Sequence, residues 1–127
     1  MDWTERLNRG PGLIPLGQGM VELLHWAHQE HLPDNKPHRH TFFEVCQVGA
    51  HGAGLFLVAG REHRLTPGMV FIARPGIVHQ IVNTETPNME LSWVCFQWTP
   101  GALIHSEGVG RLLQEFAAGA IVAAPDT

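Results

Sequence analysis

The stretch PHRHTFFEVC, residues 37–46, places three metal-binding side chains within a run of strand-forming residues. Alternate side chains of a β-strand share one face, so the pattern predicts that His38, His40 and Glu44 point the same way. Two imidazoles about 6.6 Å apart along a strand can converge on one ion, and a carboxylate beyond them can join the site. The alternative from this stretch alone is a solvated polar patch, with apolar Phe43 on the opposite face.

Length and composition describe one compact globular domain. The 127 residues are 44% hydrophobic and 16% charged, and 14 glycines and 9 prolines suit a fold with many turns. The net charge is −4 with only eight Lys and Arg residues, so the chain lacks the basic surface that neutralises DNA phosphates. No apolar run approaches the roughly 20 residues of a membrane span, and no signal-peptide pattern opens the chain. We therefore expect a cytoplasmic protein whose cysteines, Cys46 and Cys95, are reduced and buried.

A series of short strand-like runs occupies the middle of the chain. It begins at Met20 with MVELLHWAH and ends with MELSWVCFQW, and turns containing Gly or Pro separate the runs. The sequence AGRE at 59–62 predicts a hairpin turn between two of them. Many short strands without an intervening helical pattern are typical of an all-β antiparallel barrel or jelly roll, although a sandwich fits the same pattern.

The two ends of the chain differ from this middle part. Residues 1–19 are rich in Gly and Pro and predict an N-terminal arm, and residues 20–105 are assigned to the β-barrel. Residues 106–127 predict a short amphipathic helix followed by the start of a linker. A helix of about two turns needs a partner surface, either its own barrel or a second copy of the chain. Its apolar stripe consists of Val109, Leu112, Leu113 and Phe116.

A second stretch, GMVFIARPGIVHQIVN at 68–83, makes the chain similar to the cupin family of small β-barrels with two signature motifs. The first motif, two histidines and a glutamate, is met by the residues quoted above. Arg74 stands where the second motif has proline, which follows one residue later. The resemblance implies that His79 joins the first motif in binding one divalent transition metal, such as Zn, Ni, Fe, Cu or Mn. The residues that match the second motif are Gly68, Gly76, His79 and Asn83.

The run from HRHTFFEV to SWVCFQW, within residues 20–99, resembles more narrowly the N-terminal effector-sensing domain of AraC-type transcriptional regulators. That resemblance implies a small-molecule effector in the barrel, an arm before it and a homodimer formed through the helix after it. It also implies DNA binding through a C-terminal pair of helix-turn-helix units, of which residues 1–127 carry no trace. We interpret the chain as a sensing domain separated from its DNA-binding half.

Two other functions fit the same residues. One is a stand-alone metal-dependent cupin enzyme of the dioxygenase or isomerase type, because a metal with open coordination positions can activate oxygen or polarise a substrate. The other is a metabolite-binding cupin without a regulatory partner. The amphipathic C-terminal segment favours the regulator, since an enzyme barrel of this size needs no additional helix.

Three residues outside the metal-ligand set are candidates for contact with the effector. Trp93 offers an aromatic face, Arg74 a positive charge for an anionic effector, and Asn83 a hydrogen-bonding amide. Each has a structural alternative: a core-filling ring, a solvated turn arginine and a turn-capping asparagine. The histidines outside the two motifs, including His31 and His51, are predicted to be surface or turn residues.

Overall fold

The structure is a computed structural model, and it describes residues 2–99 and 123–125. Within these residues the chain forms one short helix and nine strands, and the strand pairs are antiparallel. In chain order the elements are α1 (Trp3–Asn8), β1 (Leu13–Leu16), β2 (Gly19–Gln29), β3 (Phe43–Val48), β4 (Gly54–Val58), β5 (Arg61–Leu65), β6 (Met69–Ala73), β7 (His79–Asn83), β8 (Leu91–Thr99) and β9 (Ala123–Pro125).

The strands lie in two sheets that enclose one hydrophobic core. The six-stranded sheet has the order β1-β2-β8-β3-β6-β9, and the three-stranded sheet has the order β5-β4-β7. Burial along β4 alternates with a period of two, as expected for a strand with one face on a core. The predicted all-β fold of antiparallel strands is thereby confirmed. The core consists of Cys46, Val48, Phe56, Val58, Leu65, Phe71, Ala73, Ile81, Met89 and Leu91.

The segment between β2 and β3 runs beside β7 and is hydrogen-bonded to it. Asn35 N donates to Ile81 O at 3.1 Å, and the Asn35 side-chain oxygen accepts from Ile81 N at 2.7 Å. Further along, His38 and His79 exchange both backbone hydrogen bonds, at 2.9 and 2.8 Å. These bonds satisfy backbone groups of β7 that β4 does not reach. The segment therefore covers the free edge of β7, which is the outer strand of the three-stranded sheet.

The turn between β4 and β5 is a two-residue hairpin turn, as the sequence predicts. Val58 pairs with Arg61, and the two residues between them, Ala59 and Gly60, have φ angles of 51° and 73°. Two successive positive φ values belong to a type I′ turn, whose twist matches that of the flanking strands. Glycine adopts this conformation without a steric penalty, which explains its position at the second turn residue.

The N-terminal residues are more regular than the predicted arm. Asp2 caps α1, since its Oδ1 accepts from Glu5 N at 2.9 Å. β1 then pairs with β2 through a tight turn in which Leu16 lies opposite Gly19. No residue of α1 is buried and all of β1 is exposed, so neither element contributes to the core. A prediction from sequence depends on apolar periodicity that reports a buried face, and neither element has a buried face.

The predicted amphipathic helix lies outside the described residues, and it stays a prediction. Of residues 106–127, the structure describes Ala123–Pro125, the strand β9, which pairs with Met69–Phe71 of β6. A strand therefore stands where the sequence predicts the start of a linker. The physical reason is that the edge of β6 away from β3 offers backbone groups for pairing, whatever the side chains of the added strand.

Candidate functional site

The two histidines quoted at the outset precede a strand instead of lying within it. β3 begins at Phe43, so the prediction that His38, His40 and Glu44 share one strand face is wrong for the histidines. Glu44 belongs to β3, whereas His38 forms an isolated bridge with His79. Contact between the two sequence motifs therefore results from backbone pairing to β7, not from alternation along one strand.

Three imidazoles converge at this end of the barrel, those of His38, His40 and His79. One ligand nitrogen from each ring lies within 4.8 Å of the other two. The ring centroid of His79 is 4.3 Å from that of His38 and 4.9 Å from that of His40, and the His38 and His40 centroids are 6.0 Å apart. Metal–nitrogen bonds of about 2.0–2.1 Å hold adjacent ligand nitrogens about 3–3.5 Å apart, so small side-chain rotations bring the three rings onto one ion.

Each of the three rings forms a hydrogen bond through Nδ1 to a backbone carbonyl. A carbonyl oxygen can only accept, so Nδ1 carries the proton and the neutral ring presents an Nε2 lone pair. Metal-ligating histidines are commonly held in this way, with the second ring nitrogen bonded to a carbonyl or carboxylate. The Nδ1-to-oxygen pairs are His38 to Lys36 (2.7 Å), His40 to Phe42 (2.8 Å) and His79 to Ile77 (2.9 Å).

The Nε2 atoms of His40 and His79 are buried and have no hydrogen-bond partner among the described residues. His79 is only 1% exposed, and its ring centroid lies 6.0 Å from that of Phe56. Burial lowers the pKa of His79, because the imidazolium loses its hydration, and the ring therefore stays neutral. A buried lone pair without a partner is unfavourable, and a bound ion removes that penalty. The three histidines therefore fit a divalent metal.

Glu44 lies at the edge of this histidine cluster. Its Oε2 is 3.8 Å from His40 Nε2, but the set whose ligand atoms are all mutually close contains only the histidines. The carboxylate accepts hydrogen bonds from two thiols, Cys46 Sγ at 3.5 Å and Cys95 Sγ at 3.6 Å. A carboxylate has lone pairs for both a thiol donor and a metal, so these hydrogen bonds are compatible with metal binding. The role of Glu44 as a fourth ligand stays a prediction.

The two thiols beside Glu44 belong to Cys46 and Cys95, which the sequence predicts to be reduced and buried. Both cysteines are buried and outside any disulfide. Burial first, and then the negative charge of Glu44, raises the pKa of Cys46 well above its usual range and that of Cys95 to about 12. Both thiols stay protonated, so they donate to Glu44 and are not poised as thiolate ligands. Cys46 is two residues from Glu44 in sequence, but Cys95 meets Glu44 only through the β3–β8 register.

Trp93 and Arg74, predicted to contact an effector, lie in different surroundings. Trp93 is directly opposite Cys46 in the β3–β8 pairing and packs against the core, so its ring is on the inner face. Arg74 follows β6 and is 9% exposed. This burial excludes the alternative that Arg74 is a solvent-exposed arginine in a turn. Burial also lowers the pKa of its guanidinium. The contact of either residue with an effector stays a prediction.

Asn83, the third predicted effector contact, forms several hydrogen bonds within the fold. Its Nδ2 donates to Leu32 O at 2.8 Å and to Asp34 Oδ1 at 2.7 Å, and its Oδ1 accepts from Met89 N at 2.8 Å. Both donor hydrogens and the acceptor of the amide are thus engaged. The side chain connects the end of β7 to the segments before β3 and before β8, and its contact with an effector stays a prediction.

Replacement of Asn83 by alanine is expected to lower the free energy of unfolding by about 1–3 kcal/mol, because Leu32 O and Met89 N lose their partner. Thr84→Ala is the matched control, since Thr84 is exposed and its backbone bond to Ala53 O does not depend on the side chain. That variant is expected to stay within about 0.5 kcal/mol of the parent. Urea denaturation measures both, and equal effects would contradict the structural role of Asn83.

A barrel of two antiparallel sheets with three converging imidazoles defines a cupin-type ligand-binding domain. The family model described as AraC-like ligand binding domain matches residues 18–103. Because the match covers more than half of the 127 residues, the chain belongs to this family. The resemblance drawn from the sequence motifs is therefore confirmed.

Several solved structures are similar to this chain at low sequence identity. A Cupin 2 conserved barrel domain protein from Salinispora arenicola shares 17% identity, with a TM-score of 0.44 over 77% of this chain and 72% of that one. A conserved protein with a double-stranded β-helix domain from Klebsiella pneumoniae shares 17%, with a TM-score of 0.45 over 72% and 77%. A cupin protein from Bacteroides fragilis shares 19%, with a TM-score of 0.43 over 74% and 76%.

Comparison with curated protein sequences gave no match. Within residues 2–99 and 123–125, no helix has the length and apolar character needed to cross a membrane.

Proposed function

We propose that this chain is the effector-sensing domain of a transcriptional regulator and binds a small molecule in the barrel through a metal held by His38, His40 and His79. The observation that carries the proposal is the convergence of three rings whose Nδ1 atoms are bonded to carbonyls, which leaves each Nε2 lone pair available. Membership of the AraC-like ligand binding domain family supports a sensing role.

A divalent transition ion suits this set of donors. Imidazole nitrogen binds Zn, Ni, Fe, Cu and Mn, and the ion taken up depends on metal supply as well as on affinity. Glu44, whose Oε2 lies near His40 Nε2, would add a carboxylate oxygen. Three or four protein ligands leave coordination positions on a five- or six-coordinate ion, and we propose that oxygen or nitrogen donors of the effector occupy them. The ion, when bound, supplies a Lewis acid that orients the effector.

We further propose that effector binding controls a DNA-binding domain outside residues 1–127 and that the chain acts as a homodimer in the cytoplasm. The net charge of −4 supports the assignment of DNA contact to another part of the protein. The apolar stripe predicted within residues 106–119 supports a symmetric contact between two copies. The free cysteines Cys46 and Cys95 are compatible with a reducing compartment.

A metal-dependent cupin enzyme is the second candidate function. The position of Glu44, with Oε2 at 3.8 Å from His40 Nε2, favours it, because histidines and one carboxylate around an ion with open positions also promote oxygen activation and substrate polarisation. The sensing role and the enzyme role make different predictions about what happens to the bound molecule.

Binding without turnover is the expected result for a sensing domain. In a thermal-shift screen of small molecules with the metal-loaded protein, an effector raises the melting temperature of the parent, since it binds only the folded state. The same molecule is expected to have no effect on His79→Ala, which lacks a proposed metal ligand. Mass spectrometry and oxygen consumption then follow the molecule during incubation. Recovery of the unchanged molecule supports sensing, and multiple turnovers would establish the enzyme instead.

A further inference from the structure

A second group of potential metal ligands lies where the loops that follow β2 and β3 meet. The two loops are bonded to the same short segment before β8: Leu32 N donates to Met89 O at 2.8 Å, and Glu90 N donates to His51 O at 3.1 Å. Gly52, with φ of 93°, lets the second loop approach closely, because a Cβ at this position would collide with the backbone of Met89. These contacts hold the loops side by side.

Three side chains from these loops come together: Glu30, His31 and His51. One ligand atom from each lies within 4.8 Å of the other two, and the centroids of the two imidazoles are 5.1 Å apart. Glu30 and His31 are exposed, whereas His51 is half-buried. The prediction that His31 and His51 are unrelated surface or turn residues is therefore incomplete, since the fold brings them into one cluster.

One atom of this cluster is in an unfavourable position without a ligand. Nδ1 of His51 is buried and has no hydrogen-bond partner among the described residues. A buried polar atom of this kind is uncommon, because the lost contact with water is normally replaced by a hydrogen bond or a coordinated ion. His31 and Glu30 are close enough to share an ion with His51. The cluster thus has both the donors and an unsatisfied group.

The electrostatic surroundings favour a cation at this position. The carboxylate of Glu90 lies at the same junction, where it accepts from Ala50 N at 2.7 Å and contacts His28 Nε2 at 2.9 Å. These interactions, the backbone bond first, lower the pKa of Glu90 and keep it ionised. Glu90 and Glu30 therefore supply negative charge around the two imidazoles, and a divalent ion would be attracted to them.

We propose that Glu30, His31 and His51 form a second site for a divalent transition metal, separate from the histidine cluster in the barrel. Two imidazole nitrogens and one carboxylate oxygen are a donor set that suits Zn²⁺, Ni²⁺ or Cu²⁺. The two sites lie beyond opposite ends of β3, which spans about 17 Å at roughly 3.3 Å per residue. Binding at the second site links the loop after β2 to the loop after β3.

Zinc titration of the 127-residue chain carrying His38→Ala and His79→Ala tests this proposal, because that background lacks two barrel ligands. Isothermal titration calorimetry is expected to show about one Zn²⁺ per chain, and addition of His31→Ala is expected to weaken binding by more than about 100-fold. His25→Ala is the matched control, since His25 is exposed on β2 and outside both clusters. It is expected to leave the affinity unchanged.

The proposal is overturned if the chain with His38→Ala and His79→Ala binds no zinc. It is also overturned if this chain binds zinc equally well with and without His31→Ala. If that background does not fold, as judged by circular dichroism, His31→Ala alone decides the question, because the substituted side chain is exposed. It is expected to remove about one zinc equivalent from the parent chain, and unchanged stoichiometry overturns the proposal. A different result is expected if the barrel does not bind metal. The parent chain would then bind a single zinc equivalent, which His31→Ala removes and His79→Ala leaves intact.

Discussion

Replacement of His79 by alanine is expected to weaken metal binding in the barrel by more than about 100-fold, since loss of a residue that merely orients a metal ligand already costs about 10–100-fold. His79 has a buried Nε2 without a partner among the described residues and lies closest to both other rings. Calorimetric titration with Zn²⁺ measures the change in a chain that also carries His31→Ala, which isolates the barrel site from the second cluster.

Two controls accompany the His79 variant. His25→Ala removes an exposed imidazole and is expected to leave the affinity unchanged. Circular dichroism shows whether His79→Ala keeps the fold, and an affinity equal to that of the parent would refute the barrel site.

Metal affinity in the barrel is also expected to fall as the pH falls, because protons compete with the metal for the imidazole nitrogens. Burial lowers the pKa of His79, so its own competition begins at lower pH than that of an ordinary histidine.

Replacement of Phe56 by alanine is expected to lower the free energy of unfolding by about 3–5 kcal/mol, the usual cost of removing a buried ring. Phe56 is fully buried in the three-stranded sheet, and its ring centroid lies 4.7 Å from that of Phe71 in the opposite sheet. Removal of the ring would leave a cavity between the two sheets. Thermal or urea denaturation measures the loss, with an expected decrease in melting temperature of at least about 10 °C.

The matched control for Phe56 is Ile77→Ala, because Ile77 is an apolar residue that is 41% exposed just before β7. It is expected to change stability by about 0.5 kcal/mol or less. The Phe56 variant also tests how the histidine cluster depends on the core, since the ring centroids of Phe56 and His79 are 6.0 Å apart. A Phe56 variant as stable as the Ile77 variant would show that the two sheets do not share the core described above.

The succession of strands and the hairpin turn at Ala59–Gly60 could be predicted because each depends on local properties. Alternation of apolar residues reports which face of a strand is buried, and glycine at a turn reports a positive φ. α1 and β1 escaped prediction for the same reason, since neither has a buried face. The helix predicted within residues 106–119 lies outside the described residues, so no comparison applies to it.

Candidate metal ligands could be proposed from the spacing of His38, His40 and Glu44 and from the motif around His79. The argument from spacing assumed that all three residues lie on one strand, whereas β3 begins at Phe43, after both histidines. Asn83 could be proposed as an effector contact from its hydrogen-bonding amide, but only the structure shows that this amide bonds Leu32, Asp34 and Met89. Residue types thus indicated which side chains can bind a metal or a ligand. They did not indicate which of these side chains already have hydrogen-bond partners within the fold.

Contacts between residues far apart in sequence arose from strand register and loop anchoring. The bridge between His38 and His79, the position of Cys95 across from Glu44, and the meeting of His31 with His51 are of this kind. A sequence pattern records the period of a strand and its buried face, but a register shift of one residue exchanges the faces without changing the pattern. Long-range pairing depends on the packing of the whole core and on the satisfaction of backbone hydrogen bonds, and those are properties of the assembled sheets.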